Sequence, residues 1–177
     1  KIAVDFKPAK YNPQYGFSRM HHLWVDSVLK SLTLEEKIGQ LFMIRAYSNK
    51  DEAYYNLVMQ NVKKYNLGGL CFFQGDPVTQ SKLTNRYQNQ AKVPLFIAID
   101  GEWGLSMRLK NVVGFPRQMT LGAIQNDTLI YDMASIMAKQ FKRIGVNYNL
   151  APVVDINSNA KNPVCLLYTS DAADYSV

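Results

Sequence analysis

The sequence predicts an α/β fold in which a parallel sheet is covered by helices, and three observations carry that prediction. Short apolar runs recur along the chain, at Leu41 to Ile44, Leu70 to Phe73, Leu95 to Ile99 and around Val146 to Leu150. None of them shows the polar alternation of a strand with one wet face, so each reads as a strand buried on both sides. Between them lie stretches with apolar residues at helical spacing, which gives the alternation of strand and helix typical of a parallel sheet. Two architectures satisfy this pattern, a doubly wound sheet and a (β/α)8 barrel, and periodicity does not separate them. No G-x-G-x-x-G follows any of the strands, which counts against a dinucleotide-binding sheet.

The elements follow in order. Residues 1–19, rich in Pro, Tyr and Lys without a period, read as a leader. A helix is expected from about Met20 to Leu32, with Leu23, Trp24, Val28 and Leu32 on one face. Thr33 to Glu36 has the form of a capping box, in which the Thr33 hydroxyl takes the Glu36 amide and the Glu36 carboxylate reaches back. The helix it opens places Leu34, Ile38 and Leu41 together. Asp51 to Tyr65 is expected as a helix with Ala53, Tyr54, Leu57, Val58, Val62 and Tyr65 inward, broken by Gly68-Gly69. Pro77 suits a first helical position and opens a helix to about Ala91. Asp127 caps a further helix, with Leu129, Ile130, Met133, Ile136, Met137 and Phe141 inward and Gly145 as its stop. Asn126-Asp127-Thr128 also matches a glycosylation sequon, but its position favours the cap.

Composition narrows the classes. The chain has 177 residues, 47% hydrophobic and 19% charged, which is globular and large enough for one core. The net charge of +6 comes from lysines and arginines scattered over the polar sides of helical patterns. Such a distribution reads as a solvated surface, and no nucleic-acid partner is expected. No apolar run approaches the roughly 18–20 residues that cross a bilayer, so no transmembrane segment is expected, and no secretory signal is legible. Cys71 and Cys165 form neither a disulfide framework nor a metal-ligand spacing, and Cys71 reads as a core residue. His21 and His22 sit in the leader helix, away from every strand end. Without another histidine, neither a Ser-His-Asp triad nor a zinc site can be assembled, and no metal or cofactor is expected.

In either architecture the functional rim lies at the carboxyl ends of the strands. Arg45 and Tyr47 follow the first strand, Gln74, Gly75 and Asp76 the second, and Asp155 and Asn157 the fourth. The densest cluster, Asp100-Gly101-Glu102-Trp103-Gly104 with Arg108 behind it, follows the third. Asp100 ends an apolar run, so its carboxylate either accepts ligand hydroxyls at the mouth or caps the turn. Glu102 is a second acid or a residue that orients the loop. Two carboxylates so close along one loop do not make a glycosidase pair by themselves, because such a pair flanks the scissile bond at roughly 5–9.5 Å. Arg108 either pairs with one of these acids or contacts substrate. Trp103 either stacks on a sugar or packs.

Five ordered blocks resemble glycoside hydrolase family 3. They are Leu32 to Leu41; Leu67-Gly68-Gly69-Leu70 with Phe72-Phe73; Pro94 to Asp100 with Glu102, Gly104 and Arg108, against D-x-E-G-G-x-V-x-R; Phe115-Pro116 with Met119 to Ala123; and Asn149 to Asp155, against N-x-A-P-V-x-D. The resemblance is to the β-N-acetylglucosaminidase (β-hexosaminidase) branch, with β-glucosidases as the near competitor. It implies an incomplete (β/α)8 barrel, roughly the first four βα units, over residues 20–164. Residues 165–177 have no counterpart and resemble translated sequencing adapter, so they are expected to be a non-native tail.

The resemblance further implies a retaining exo-β-glycosidase acting on a carbohydrate substrate, most simply releasing terminal β-N-acetylglucosamine, in a periplasmic or secreted setting. Asp100 is the substrate-binding aspartate by that match, and Arg108 supports the site. Trp103 stands where the family has glycine, and Gly101 where it has a larger polar residue. The K-H-F-P-G-H-G segment, the acid/base loop and the nucleophilic aspartate are not matched, so no catalytic residue is assigned and the chain itself is expected to be inactive. The alternative readings are a β-glucosidase of the same family and a non-enzymatic carbohydrate-binding protein.

Overall fold

The computed structural model describes residues 23–152. The leader, His21, His22, Asp155, Asn157, Cys165 and the tail expected at 165–177 lie outside the described residues. The elements are α1 (Leu23–Ser31), α2 (Leu34–Gly39), β1 (Met43–Ala46), α3 (Glu52–Tyr65), β2 (Gly69–Phe72), α4 (Pro77–Gln88), β3 (Phe96–Ile99), α5 (Gln118–Gly122), α6 (Asp127–Arg143) and β4 (Tyr148–Asn149). The strands form one parallel sheet in the order β1-β2-β3-β4. A doubly wound sheet reverses strand order at a switch point, whereas a barrel wall runs in chain order. The observed order is that of a barrel wall, unclosed at β1 and β4 among the described residues.

Local chemistry explains where the helices begin and end. The capping box is formed: the Glu36 amide donates to Thr33 Oγ1 at 3.2 Å and the Thr33 amide to Glu36 Oε2 at 2.9 Å. Asp51 caps α3 through the Tyr54 amide at 2.9 Å. Asp76 caps α4 through the amides of Val78 and Thr79, with Pro77 at the first turn. Asn126, one residue before the expected Asp127, caps α6 through the Thr128 amide at 3.0 Å. Gly145 ends the exit from α6 at φ +80, a left-handed conformation that favours glycine.

The core lies between one face of the sheet and the helices. Ala46, Leu70, Phe72, Ile97 and Ile99 meet Tyr55, Val58 and Val62 of α3, Leu83 and Tyr87 of α4, and Met137 and Phe141 of α6. Tyr87 is fully buried, stacks on Phe72 with ring centroids 6.5 Å apart, and donates its hydroxyl to Tyr55 O at 3.4 Å. Burial pushes its phenol well above the ordinary range, since the phenolate would lose its hydration.

Several expected positions are corrected. β1 starts two residues late, because Leu41 and Phe42 are used in leaving α2, their amides donating to Ile38 O and Gly39 O. Arg45 therefore lies inside β1 rather than after it. Tyr55 replaces Ala53, Leu57 and Tyr65 on the inward face of α3, all three being exposed. Leu23 and Trp24 of α1, and Leu34, Ile38 and Leu41 around α2, are also exposed, as are Leu129 and Ile136 of α6. Cys71 is not core: it is half-buried on the sheet face away from the helices. Among the described residues no helix is long and apolar enough to cross a membrane.

Candidate functional site

The register places the site. Ala46, Phe72, Ile99 and Asn149 are lateral neighbours in the sheet, and the first three are buried against the helices. Side chains alternate along a strand, so Tyr47, Phe73 and Asp100 emerge on the opposite, concave face at the carboxyl ends. Tyr47 and Phe73 touch, with ring centroids 5.8 Å apart. The Arg108 guanidinium lies 4.7 Å above the Phe73 ring. Its Nη2 donates to Asp100 Oδ2 at 2.6 Å and its Nε to Asp100 O at 3.2 Å. One arginine thus ties an aromatic row to the acid at the end of β3. The two side chains are 16% and 28% exposed, so the pair sits at the mouth and not beneath the sheet.

The segment that delivers Arg108 is itself held. Leu105 and Leu109 are buried. Gly75, after β2, donates its amide to Arg108 O at 3.3 Å and accepts from the Lys110 amide at 3.0 Å. The loop after β3 is thereby stitched to the loop after β2 by a parallel bridge. At its start, Asn149 of β4 accepts from the Gly101 amide at 3.1 Å and donates to Gly101 O at 3.5 Å.

Glu102, two residues past Asp100, is half-buried. Its Oε2 is buried without a hydrogen-bond partner. Its amide donates to Met107 Sδ at 3.4 Å and its carbonyl accepts from Gln118 Nε2 at 3.0 Å. Burial raises its carboxyl above the ordinary glutamate range; the Asp100 charge adds to the rise, and Arg108 and Arg117 oppose it. Cys71, one row below the mouth, has its thiol raised by burial and by Asp100, against Arg108. Trp103 packs under Arg117, whose guanidinium is 4.5 Å from the ring. At the other end of the concave face Phe42, Met43, Gly69, Phe96 and Tyr148 line an apolar hollow of about 380 Å³. It opens at the amino ends of the strands and is separate from the acid.

A barrel wall in chain order, with an acid and an arginine joined at the carboxyl end of its third strand, is the setting the five sequence blocks require. Residues 33–170 match the glycosyl hydrolase family 3 N terminal domain. The chain belongs to that family. It is 35% identical over 116 residues to β-hexosaminidase A of Pseudoalteromonas piscicida, covering 58% of this chain and 19% of that protein. It is 26% identical over 141 residues to a β-N-acetylglucosaminidase/β-glucosidase of Cellulomonas fimi, covering 80% of this chain and 24% of that one. Among solved structures it is similar to β-glucoside phosphorylase BglX bound to 2FGlc, with TM-score 0.72 and 25% identity over 79% of this chain and 25% of that one. The chain therefore spans about a fifth to a quarter of the length of these relatives.

Within the family 3 frame, the two departures in the third-strand block have local reasons. A Cβ on Gly101 would stand 2.9 Å from Phe141 Cζ and 3.3 Å from Asn149 Oδ1, so α6 and β4 occupy the room a larger residue needs. Gly104, at φ +86, takes the strained turn, while Trp103 lies against Arg117. The block already contained Asp100, Arg108, Glu102 and Gly104. Asn149 was visible only as the first letter of the fourth-strand block. Nothing in the sequence marked Gln118.

Proposed function

We propose that this chain carries the sugar-binding wall of a retaining exo-β-glycosidase, with terminal β-N-acetylglucosamine as the sugar and Asp100 accepting its hydroxyl hydrogens. The observation that carries this reading is the partly exposed Asp100 carboxylate at the mouth, with Arg108 holding one of its oxygens at 2.6 Å. A fixed carboxylate with a second oxygen to offer suits vicinal hydroxyls, and such charge-assisted bonds contribute about 1.5–3 kcal/mol each. Arg108 sets the orientation of the acid and screens its charge. The β-hexosaminidase and β-N-acetylglucosaminidase names of the relatives support the choice of sugar.

The reaction of the whole enzyme is a two-step displacement, in which an aspartate attacks the anomeric carbon, an acid protonates the leaving oxygen and water resolves the glycosyl-enzyme. No residue of this chain is assigned to either role, and we read the chain alone as inactive. A periplasmic or secreted location rests on the family resemblance. A second reading, action on β-glucosides, is favoured by the dual name of the Cellulomonas relative and by the phosphorylase BglX.

The test is binding and turnover by the purified chain. N-acetylglucosamine is expected to bind more tightly than glucose, and Asp100→Ala to weaken it by about ten- to a hundredfold. An aryl β-N-acetylglucosaminide is expected to hydrolyse no faster than in a protein-free blank. Binding indifferent to Asp100→Ala removes the role of the acid, tighter glucose binding selects the second reading, and turnover above the blank refutes inactivity.

A further inference from the structure

We propose that the cleft between α4 and α6, on the helix side of the sheet, binds a small organic anion: an apolar body carrying one carboxylate and one hydrogen-bond donor. No strand residue lines this cleft, and neither Asp100 nor Arg108 does. The inference therefore does not rest on the sugar-binding reading given above.

The cleft has a volume of about 640 Å³, inside the roughly 300–1,000 Å³ of small-ligand pockets. Two helices supply its walls together with the segment from Leu105 to Val113. Leu105 of that segment and Ile144, at the end of α6, are buried and give the lining an apolar floor. Val78 and Val113 belong to the same lining and stay 62% and 66% exposed. Concave apolar surface left in water is stabilised when an apolar body covers it.

The charge in the lining is of one sign. Lys82 and Arg143 line the cleft, and among the described residues no acidic side chain does. Neither cation is in an ion pair there, the pairs being Arg86 with Glu52, Lys92 with Glu36 and Arg108 with Asp100. The acid that feels the charge of Lys82 is Asp76, whose carboxylate is engaged by the amides of Val78 and Thr79. Arginine offers a planar fork that matches a carboxylate, and lysine a point charge. A bare inorganic anion would meet these cations and leave the apolar floor uncovered.

Gln140 adds the third part. It lines the cleft, and its Oε1 is buried without a hydrogen-bond partner. A buried amide oxygen is unfavourable until a donor reaches it. A hydroxyl on the ligand supplies that donor.

The probe is p-coumarate, which has the apolar body, the carboxylate and the hydroxyl, titrated into the full 177-residue chain. Saturable binding is expected, with amide NMR shifts at Ser81, Val112 and Ile144 and none at Phe42, Phe96 and Tyr148 of the concave hollow. p-Coumaryl alcohol, which lacks the carboxylate, is expected to bind about tenfold more weakly. Cinnamate, which lacks the hydroxyl, is expected to bind about threefold more weakly. Lys82→Gln with Arg143→Gln, at two exposed positions, is expected to bring p-coumarate down to the affinity of the alcohol and to leave the alcohol unchanged. Gln140→Met is expected to make the two acids equal. In the wild-type chain, no saturable binding, equal binding of p-coumarate and its alcohol, or shifts confined to the concave hollow overturns the proposal, whether or not a variant folds. An affinity for p-coumarate that survives the double substitution overturns it as well. Equal wild-type binding of p-coumarate and cinnamate overturns the role of Gln140.

Discussion

Asn149 brackets Gly101 with both ends of its side-chain amide, accepting from the Gly101 N–H at 3.1 Å and donating to its carbonyl at 3.5 Å. It extends the β3–β4 ladder by a side chain, one residue past the acid of the mouth, where β4 is only two residues long. Replacing Asn149 with Ala strips both bonds from a buried backbone group and is expected to destabilise the chain by about 1–3 kcal/mol. Asn149→Asp keeps the acceptor but turns an oxygen toward the Gly101 carbonyl, and is expected to be no better than Ala. Urea unfolding midpoints rank the three proteins; an Asp variant as stable as wild type contradicts the bracket.

Arg108 makes two bonds with one planar fork, to Asp100 Oδ2 and to Asp100 O, while lying on Phe73. Lysine keeps the charge and loses the fork and the flat face. Arg108→Lys is therefore expected to cost about 1–2 kcal/mol in chemical denaturation, and Arg108→Met more, because it leaves the carboxylate unpaired. Equal stability of the three would show the pair to be incidental.

Gln80 is fully buried on α4, and neither its Oε1 nor its Nε2 has a hydrogen-bond partner. A buried amide without partners is unfavourable relative to an apolar side chain of the same shape. Gln80→Met is expected to stabilise by about 1–3 kcal/mol, seen as a higher Tm. A lower Tm would mean that the amide is satisfied in solution.

The Asp76 carboxyl is held below the ordinary aspartate range chiefly by the Thr79 amide, with Val78 and Lys82 helping against burial. A carboxyl lowered in the folded state stabilises above its unfolded value of 3.8, and that contribution is lost as pH falls through the folded value. Asp76→Ala is expected to cost about 1 kcal/mol at neutral pH, the worth of an N-cap, and to unfold with a shallower acid limb. Parallel wild-type and variant stability curves through the acid range would remove Asp76 from the acid response.

The helix starts and stops were legible because their chemistry is local. Thr33 and Glu36 stand three residues apart and cap each other whatever the rest of the chain does. Pro77 and Gly145 act through their own backbone angles. The inward faces were less legible. Ala53, Leu57 and Tyr65 fit a helical stripe as well as Tyr55 does, and only the position of the sheet selects Tyr55, Val58 and Val62. The start of β1 was misplaced because Leu41 and Phe42 are apolar whether they pair in a sheet or unwind from a helix.

What the chain alone established is the alternation of elements, their caps, and the third-strand block that holds Asp100, Glu102 and Arg108, since residue type and short spacing suffice for each. The tertiary structure decided which alternative each residue took. It ran the strands in chain order, left Cys71 half-buried on the concave face, joined Arg108 to Asp100 and bonded Gln118 to the Glu102 carbonyl. The strand order and the face that Cys71 takes depend on register between segments far apart in sequence. A one-residue slip in that register would carry the acid to the opposite face.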